Sequence, residues 1–257
     1  MCFDSQARPP AAPRRDHAAT SGRVTITSGD GTPVAATLAT SDSTASVGMV
    51  VLPDVRGLHH YYELLASEVA ATGMQAIAID PYARTAGAAY REDGFDYAPH
   101  RAAATDAGLR TDVQAAIDAL REVGATTVYV WGFCFGGRAA FMQASQPKVA
   151  GTIGFYGWPT RAEEGGSSPV EEARARLVRV PVLAIYGGAD EKITTEDIEA
   201  YDDALGRAGI AHETVVYPGA PHSFFDRRMS ENSLACEDAW RRVLDFAQGR
   251  ADASGGG

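Results

Sequence analysis

Cys134 stands in the run Gly132-Phe133-Cys134-Phe135-Gly136-Gly137, directly after the apolar stretch TTVYVW at 126–131. A nucleophile raised on a sharp strand-to-helix turn needs a small residue two positions to either side, because the backbone passes close to itself there. Gly132 and Gly136 meet that requirement. Such a turn lifts the thiol above the sheet, beside a helix amino terminus whose dipole favours a thiolate. The Phe135 amide then points where an oxyanion develops. Taken alone, the same run also fits a buried cysteine in a glycine-rich turn, since unbridged cysteine is commonly a core residue. A dinucleotide-binding turn is disfavoured, because its glycines are spaced differently.

Two later segments bear on that choice. PVLAIYGGAD ends on Asp190, and VVYPGAPH ends on His222, each just beyond an apolar run. Nucleophile, acid, histidine is the chain order of hydrolases built on a parallel sheet. His222 can take the thiol proton and later return it to a leaving alcohol. Asp190 would hold the imidazole in the useful tautomer. This assistance matters, because a thiol of pKa about 8.5 is only a few per cent ionised at neutral pH. Lowering that pKa by two units takes about 2.7 kcal/mol of preferential thiolate stabilisation. Asp197 and Asp202 are alternative acids, though both fall on an expected helix. His59, His60, His100 and His212 are alternative bases; His212 opens a strand, and His59-His60 opens a helix.

The elements that must position these residues alternate along the chain. RVTIT (23–27) and VAATLAT (34–40) flank SGDGTP and read as a hairpin. VGMVVLPD (47–54), MQAIAIDP (74–81), TTVYVW, VAGTIGFYG (149–157), PVLAIYGG (181–188) and HETVVYP (212–218) read as strands, most of them apolar enough for burial on both faces. Helical spacing is expected over 60–72, 102–123, 136–146, 195–208 and 231–248. Strands alternating with helices predict an α/β fold, a mostly parallel twisted sheet with helices on both faces. Ligands then bind at the carboxyl ends of the strands, where Cys134, Asp190 and His222 all fall. Two connections, 81–101 and 158–176, exceed the usual two to six residues. They are candidates for a substrate-binding wall or lid. Phe133, Phe135, Tyr82, Tyr156, Trp158 and Phe224 gather at motif ends and could line an apolar pocket or belong to the core. Residues 1–21 read as a loose arm, 22–249 as one domain and 250–257 as a flexible tail.

With 257 residues, the chain can bury roughly 75% of its unfolded surface and needs no disulfide or structural metal. A formal charge of −10 argues against a nucleic-acid partner, since the densest basic run, RARLVR, follows Glu171 and Glu172. The same charge favours a monomer. Three cysteines, Cys2, Cys134 and Cys236, describe neither a disulfide framework nor a zinc site. No signal peptide or membrane-length apolar run is visible, so a cytoplasmic location is expected.

Over about 23–248 the chain resembles the dienelactone hydrolases, also called carboxymethylenebutenolidases. The resemblance rests on VVLPDVRGL, AIDPYAR, GFCFGG, YGGAD and PGAPHSF. It implies an eight-stranded α/β-hydrolase sheet, no metal or organic cofactor, and ester hydrolysis through a thioester-like acyl-enzyme. It also implies a triad of Cys134, Asp190 and His222, an oxyanion hole from the Val55 and Phe135 amides, and capture of a substrate carboxylate by Arg84. The family has a thiol-activating glutamate where this chain has Asp54. A second arginine, expected four residues after the histidine, is replaced by Asp226, with Arg227 beside it as a candidate substrate contact. Arg56 could bind an anion or pair with a neighbouring carboxylate. The leading expectation is an esterase or lactonase acting on a small molecule. A thioesterase or peptidase using the same triad, and a lactone-binding sensor without turnover, are the alternatives.

Overall fold

The computed structural model describes residues 7–44, 46–163, 165–226 and 228–249. Its strands are β1 (Ala19–Thr27), β2 (Pro33–Ser41), β3 (Val47–Leu52), β4 (Gln75–Ile79), β5 (Thr127–Phe133), β6 (Gly151–Phe155), β7 (Val182–Gly187) and β8 (His212–Tyr217). They form one sheet in the order β1-β2-β4-β3-β5-β6-β7-β8. The pairs β1–β2 and β2–β4 are antiparallel and the remaining five are parallel. The helices are α1 (His60–Ala71), α2 (Ala83–Ala86), α3 (Ala98–Ala103), α4 (Asp106–Glu122), α5 (Phe135–Phe141), α6 (Pro169–Arg174), α7 (Thr195–Ala208) and α8 (Ser233–Ala247).

The two-residue period of a strand divides its side chains between two cores. From β3, Met49 and Val51 join Tyr61, Leu65 and Val69 of α1 and Trp240 and Val243 of α8. Val50 and Leu52 turn the other way, to Leu109, Val113, Ile117 and Leu120 of α4. Both faces are therefore covered, as a buried parallel sheet requires. The α4 stripe begins after Thr105, whose side chain accepts from the Gly108 N–H at 3.2 Å, and the chain turns away at Gly124, φ 99°. Truncating Leu120, fully buried beneath the sheet, would cost about 2–5 kcal/mol.

Three features differ from the sequence expectation. Both long connections carry short helices: α2 and α3 in the first, α6 in the second. Ser168 caps α6 reciprocally with Glu171, and Pro169 opens it. Residues 7–18 are tied down rather than loose. Trp240 Nε1 donates to the Pro10 carbonyl at 2.9 Å, the Ala12 N–H donates to Glu68 at 2.9 Å, and the His17 N–H donates to Ala71 at 3.2 Å. A segment held through its backbone carries no periodic signature. β1 also starts inside the expected arm, at Ala19. The expected tail at 250–257 lies outside the described residues. Among the described residues, no helix is long and apolar enough to cross a membrane.

Candidate active site

Strand register brings the chemistry together. Leu52 of β3 lies opposite Gly132 of β5, so Asp54-Val55 leaves the sheet beside Cys134-Phe135. Phe133 pairs with Phe155 of β6, and the Cys134 N–H donates to the Phe155 carbonyl at 2.9 Å. Beyond β7 and β8, the Ala189 N–H donates to the Ala220 carbonyl at 2.9 Å, joining the loop of Asp190 to that of His222. The loops after β3, β5, β7 and β8 thus rise from one rim, at the carboxyl ends of parallel strands.

The turn at Cys134 is strained, with φ 53° and ψ −110°. Its two glycines are sterically required. A Cβ on Gly132 would overlap the Gly136 carbonyl, and one on Gly136 would lie 2.6 Å from the Leu52 carbonyl carbon and closer to the Leu52 and Pro53 oxygens. The start of α5 and the β3 loop are therefore in backbone contact. Phe135 opens α5, where an N–H has no intrahelical acceptor. Among the described residues, four non-glycine residues have positive φ, and Cys134, Tyr156 and Ser223 are three of them. Strained backbone of this kind concentrates where a site needs a fixed geometry.

His222 Nδ1 meets Asp190 Oδ2 at 2.6 Å. The Asp190 side chain is fully buried, and its other oxygen accepts from the Lys192 and Ile193 N–H groups at 2.8 and 3.3 Å. His222 Nε2 is buried without a hydrogen-bond partner among the described residues. His222 and Cys134 line one cavity of about 380 Å³, together with Asp54, Val55, Phe135 and Trp158. A larger recess, about 580 Å³ beside α7 and β8, holds neither Cys134 nor His222. Neither Cys134 nor Cys236 is in a disulfide. Burial pushes the Cys236 thiol up to about 12, which suits an inert core residue.

The competing histidines and acids are engaged elsewhere. His59 caps α1, contacts Arg56, and is pushed down to about 3 by burial and then by the Arg56 charge, so it stays neutral. His60 meets Glu63 at 3.3 Å, and His100 stacks on Phe95 at 5.2 Å. His212 meets Asp202 at 3.3 Å. Asp197 caps α7 and accepts from the Thr160 hydroxyl at 2.5 Å. Arg56 pairs with Asp54 instead of standing open to an anion. The Asp54 Oδ1 accepts from the Arg56 N–H at 2.9 Å, with Arg56 Nε at 3.4 Å, which closes the loop on itself.

Arg84 departs from the expectation that it captures a substrate carboxylate. Its guanidinium is held by Asp112, at 2.8 and 3.2 Å, and by Asp30, and it does not line the cavity. Those two carboxylates lie far off in sequence, so the DPYAR motif gave no warning of them. Arg227 lies outside the described residues. Asp226, where an arginine was expected, is buried and accepts from the Tyr156 hydroxyl at 3.1 Å. Phe133, Tyr82, Tyr156 and Phe224 are core side chains, leaving Phe135 and Trp158 at the cavity.

Sequence reasoning missed the cations of this cavity: Arg101, Arg138, Arg161 and Lys192. Arg138 is nearly fully buried, grips Asp106 at 2.7 and 2.9 Å, and donates to the Arg161 and Ser167 carbonyls. It thereby straps the second long connection to α5. Arg101 reaches across from the first connection to Glu163 of the second, at 3.0 Å. Arg161 and Lys192 have no ion-pair partner among the described residues, although Arg161 lies 5.8 Å from the Trp158 ring centre. Among the described residues, no group of three or more His, Cys, Asp or Glu side chains is arranged to hold a metal ion.

Residues 34–249 match the model of the dienelactone hydrolase family. A Synechocystis sp. relative named "Putative carboxymethylenebutenolidase" is 29% identical over 208 residues, spanning 78% of this chain and 85% of its own. A Yersinia pestis protein of the same name is 30% identical over 210 residues, spanning 77% and 76%. The solved "Putative Dienelactone Hydrolase from Klebsiella pneumoniae" shares the fold, with a TM-score of 0.78 and 24% identity over 90% of this chain and 99% of that one. With the family model matching most of its length, the chain belongs to the dienelactone hydrolase family.

Proposed function

We propose that this member of the family hydrolyses a small carboxylic ester or lactone through Cys134, His222 and Asp190. The observation that carries the reading is His222, bound through Nδ1 to buried Asp190 while Nε2, among the described residues, has no hydrogen-bond partner in the cavity it shares with Cys134. In the first half-reaction, the Cys134 proton passes to His222 Nε2 and Sγ attacks the carbonyl carbon. The oxyanion of the tetrahedral intermediate accepts hydrogen bonds from the Val55 and Phe135 amides. Collapse breaks the carbon–oxygen bond, and His222 protonates the departing alkoxide. For a lactone, that alcohol stays tethered to the acyl group. Water then attacks the thioester, giving one proton to His222, and Cys134 leaves as a thiolate.

Asp54 supports this cycle by shaping the Val55 loop through its contacts with Arg56. The thiol-activating role implied by the resemblance needs the same carboxylate to act on Cys134, whose cavity it lines. A carboxylate on the substrate fits the cavity as well. Arg138 and Arg101 are held by Asp106 and Glu163, so among the described residues Arg161 and Lys192 are the cavity cations available to an incoming anion. Exposed cations at the mouth of a net acidic protein also concentrate anions there.

Steady-state kinetics of wild type, Cys134→Ala, His222→Ala and Asp54→Ala test the reading, with an aryl acetate, simple lactones and a carboxylate-bearing dienelactone as substrates. Cys134→Ala and His222→Ala should abolish turnover, and the dienelactone should show the highest kcat/KM. Wild-type turnover by Cys134→Ala would overturn the mechanism. A large preference for acyl-thioesters would overturn the substrate, and tight lactone binding without product would turn the protein into a sensor.

A further inference from the structure

The residues that leave β6, Tyr156-Gly157-Trp158, run through the site without a part in attack or proton transfer. Trp158 closes a ring of contacts around the base. Its indole Nε1–H donates to the Lys192 carbonyl at 3.2 Å. The Lys192 N–H donates to Asp190 Oδ1 at 2.8 Å, and Asp190 Oδ2 meets His222 Nδ1 at 2.6 Å. The imidazole of His222 then lies against the Trp158 ring, centroids 5.4 Å apart and planes at 43°. Tyr156 meets the same imidazole at 5.0 Å and 55°. Its hydroxyl anchors on Asp226, four residues beyond His222.

A hydrogen bond at Nδ1 fixes one point of an imidazole and leaves its plane able to swing about that bond. The neighbouring rings are what set the plane, and with it the direction of Nε2. Tyr156 is buried and held at φ 40°, so it is a fixed wall. Trp158 is half-buried, stands on the second long connection, and touches both the acid loop and the base.

Resting on the triad reading above, we propose that Trp158 is a positioning residue for proton transfer. It sets the plane of His222 through an indole ring that does not itself react, with the Nε1–H bond to the Asp190 loop as the lesser support. Because Trp158 also lines the cavity, the rival role is a passive substrate wall, and the two differ in what they change. A wall acts on KM. A positioning residue acts on kcat, and on the coupling of Cys134 to His222 with no substrate present.

The test compares Trp158→Leu, which keeps apolar bulk, with Trp158→Phe, which keeps an aromatic face. Two readouts are taken: kcat and KM on a neutral aryl acetate, and the pH profile of Cys134 alkylation by iodoacetamide. Trp158→Leu should lower kcat about 100-fold, the scale expected for a misplacement of about 1 Å. Its KM should stay within about threefold, and its alkylation profile should move toward that of His222→Ala. Trp158→Phe loses only the Nε1–H bond and should stay within about fivefold of wild-type kcat. A raised KM with wild-type kcat and alkylation profile in Trp158→Leu would overturn the proposal. So would a Trp158→Phe no better than Trp158→Leu. Failure of the triad reading shows separately, as an alkylation profile and kcat that His222→Ala leaves unchanged.

Discussion

Replacing Gly136 by alanine probes the proposed oxyanion hole without touching a proposed reacting group. The added Cβ would lie 2.6 Å from the Leu52 carbonyl carbon and overlap two backbone oxygens at the end of β3. Ordinary carbon–carbon contact begins near 3.5 Å, so the β3 loop and the nucleophile helix must separate by about 1 Å. No flexible side chain stands between them to absorb the change. The loop carries the Val55 amide and the helix carries that of Phe135, so the two donors move apart. Loss of one well-placed oxyanion donor costs about 100- to 1000-fold in kcat. Overpacking adds about 1–3 kcal/mol of destabilisation, at about 2–4 °C of Tm per kcal/mol in a chain of this size. The assay is aryl acetate turnover beside a thermal melt, with Gly22→Ala as the control, since a Cβ there meets nothing within 4 Å. Wild-type kcat in a folded Gly136→Ala protein would show that the backbone contact does not hold the two amides in place.

Other outcomes follow from the same structure. Arg84→Ala should leave KM for a carboxylate-bearing ester unchanged. It should cost about 3 kcal/mol in urea unfolding, because fully buried Asp112 loses its cation. Removing Arg161 and Lys192 together should raise KM for that ester about tenfold at low salt, spare neutral esters, and matter less as salt increases. Competition kinetics at two ionic strengths would show it. His59 has a folded pKa of about 3 against 6.5 when unperturbed, lowered first by burial. The unfolded chain binds that proton more readily, so the contribution is fully present above pH 6.5 and is lost as pH falls toward 3. His59→Gln should therefore reduce the loss of stability between pH 7 and pH 5 by up to about 2 kcal/mol, measured by urea melts.

The sheet and the residues on its rim were legible because they rest on local pattern. Continuous apolar runs marked the parallel strands, and the glycines around Cys134 marked a turn whose close approach is backbone on backbone. Asp190 and His222 could be paired because each follows a strand, and parallel neighbours end on the same side. The cavity wall was not legible. Arg138 sits one turn after Cys134 and reads as an ordinary helical arginine until Asp106, in another helix, buries it. Arg101 reaches the cavity through Glu163, 62 residues away. Arg84 failed for the same reason in reverse, since Asp30 and Asp112 claim it through tertiary contacts. A local signal does mark the helix inside the second long connection, where Ser168, Pro169 and Glu171 spell its start.

The proposed mechanism requires a covalent acyl-enzyme on Cys134, which intact-protein mass spectrometry during aryl acetate turnover would detect. Samples of wild type and Cys134→Ala are quenched in acid within the first turnovers, and the modified peptide is mapped. An acetyl increment on Cys134 in wild type, absent from an inactive Cys134→Ala, is the predicted result. Turnover by Cys134→Ala, or an acyl group that maps to another residue, would contradict it.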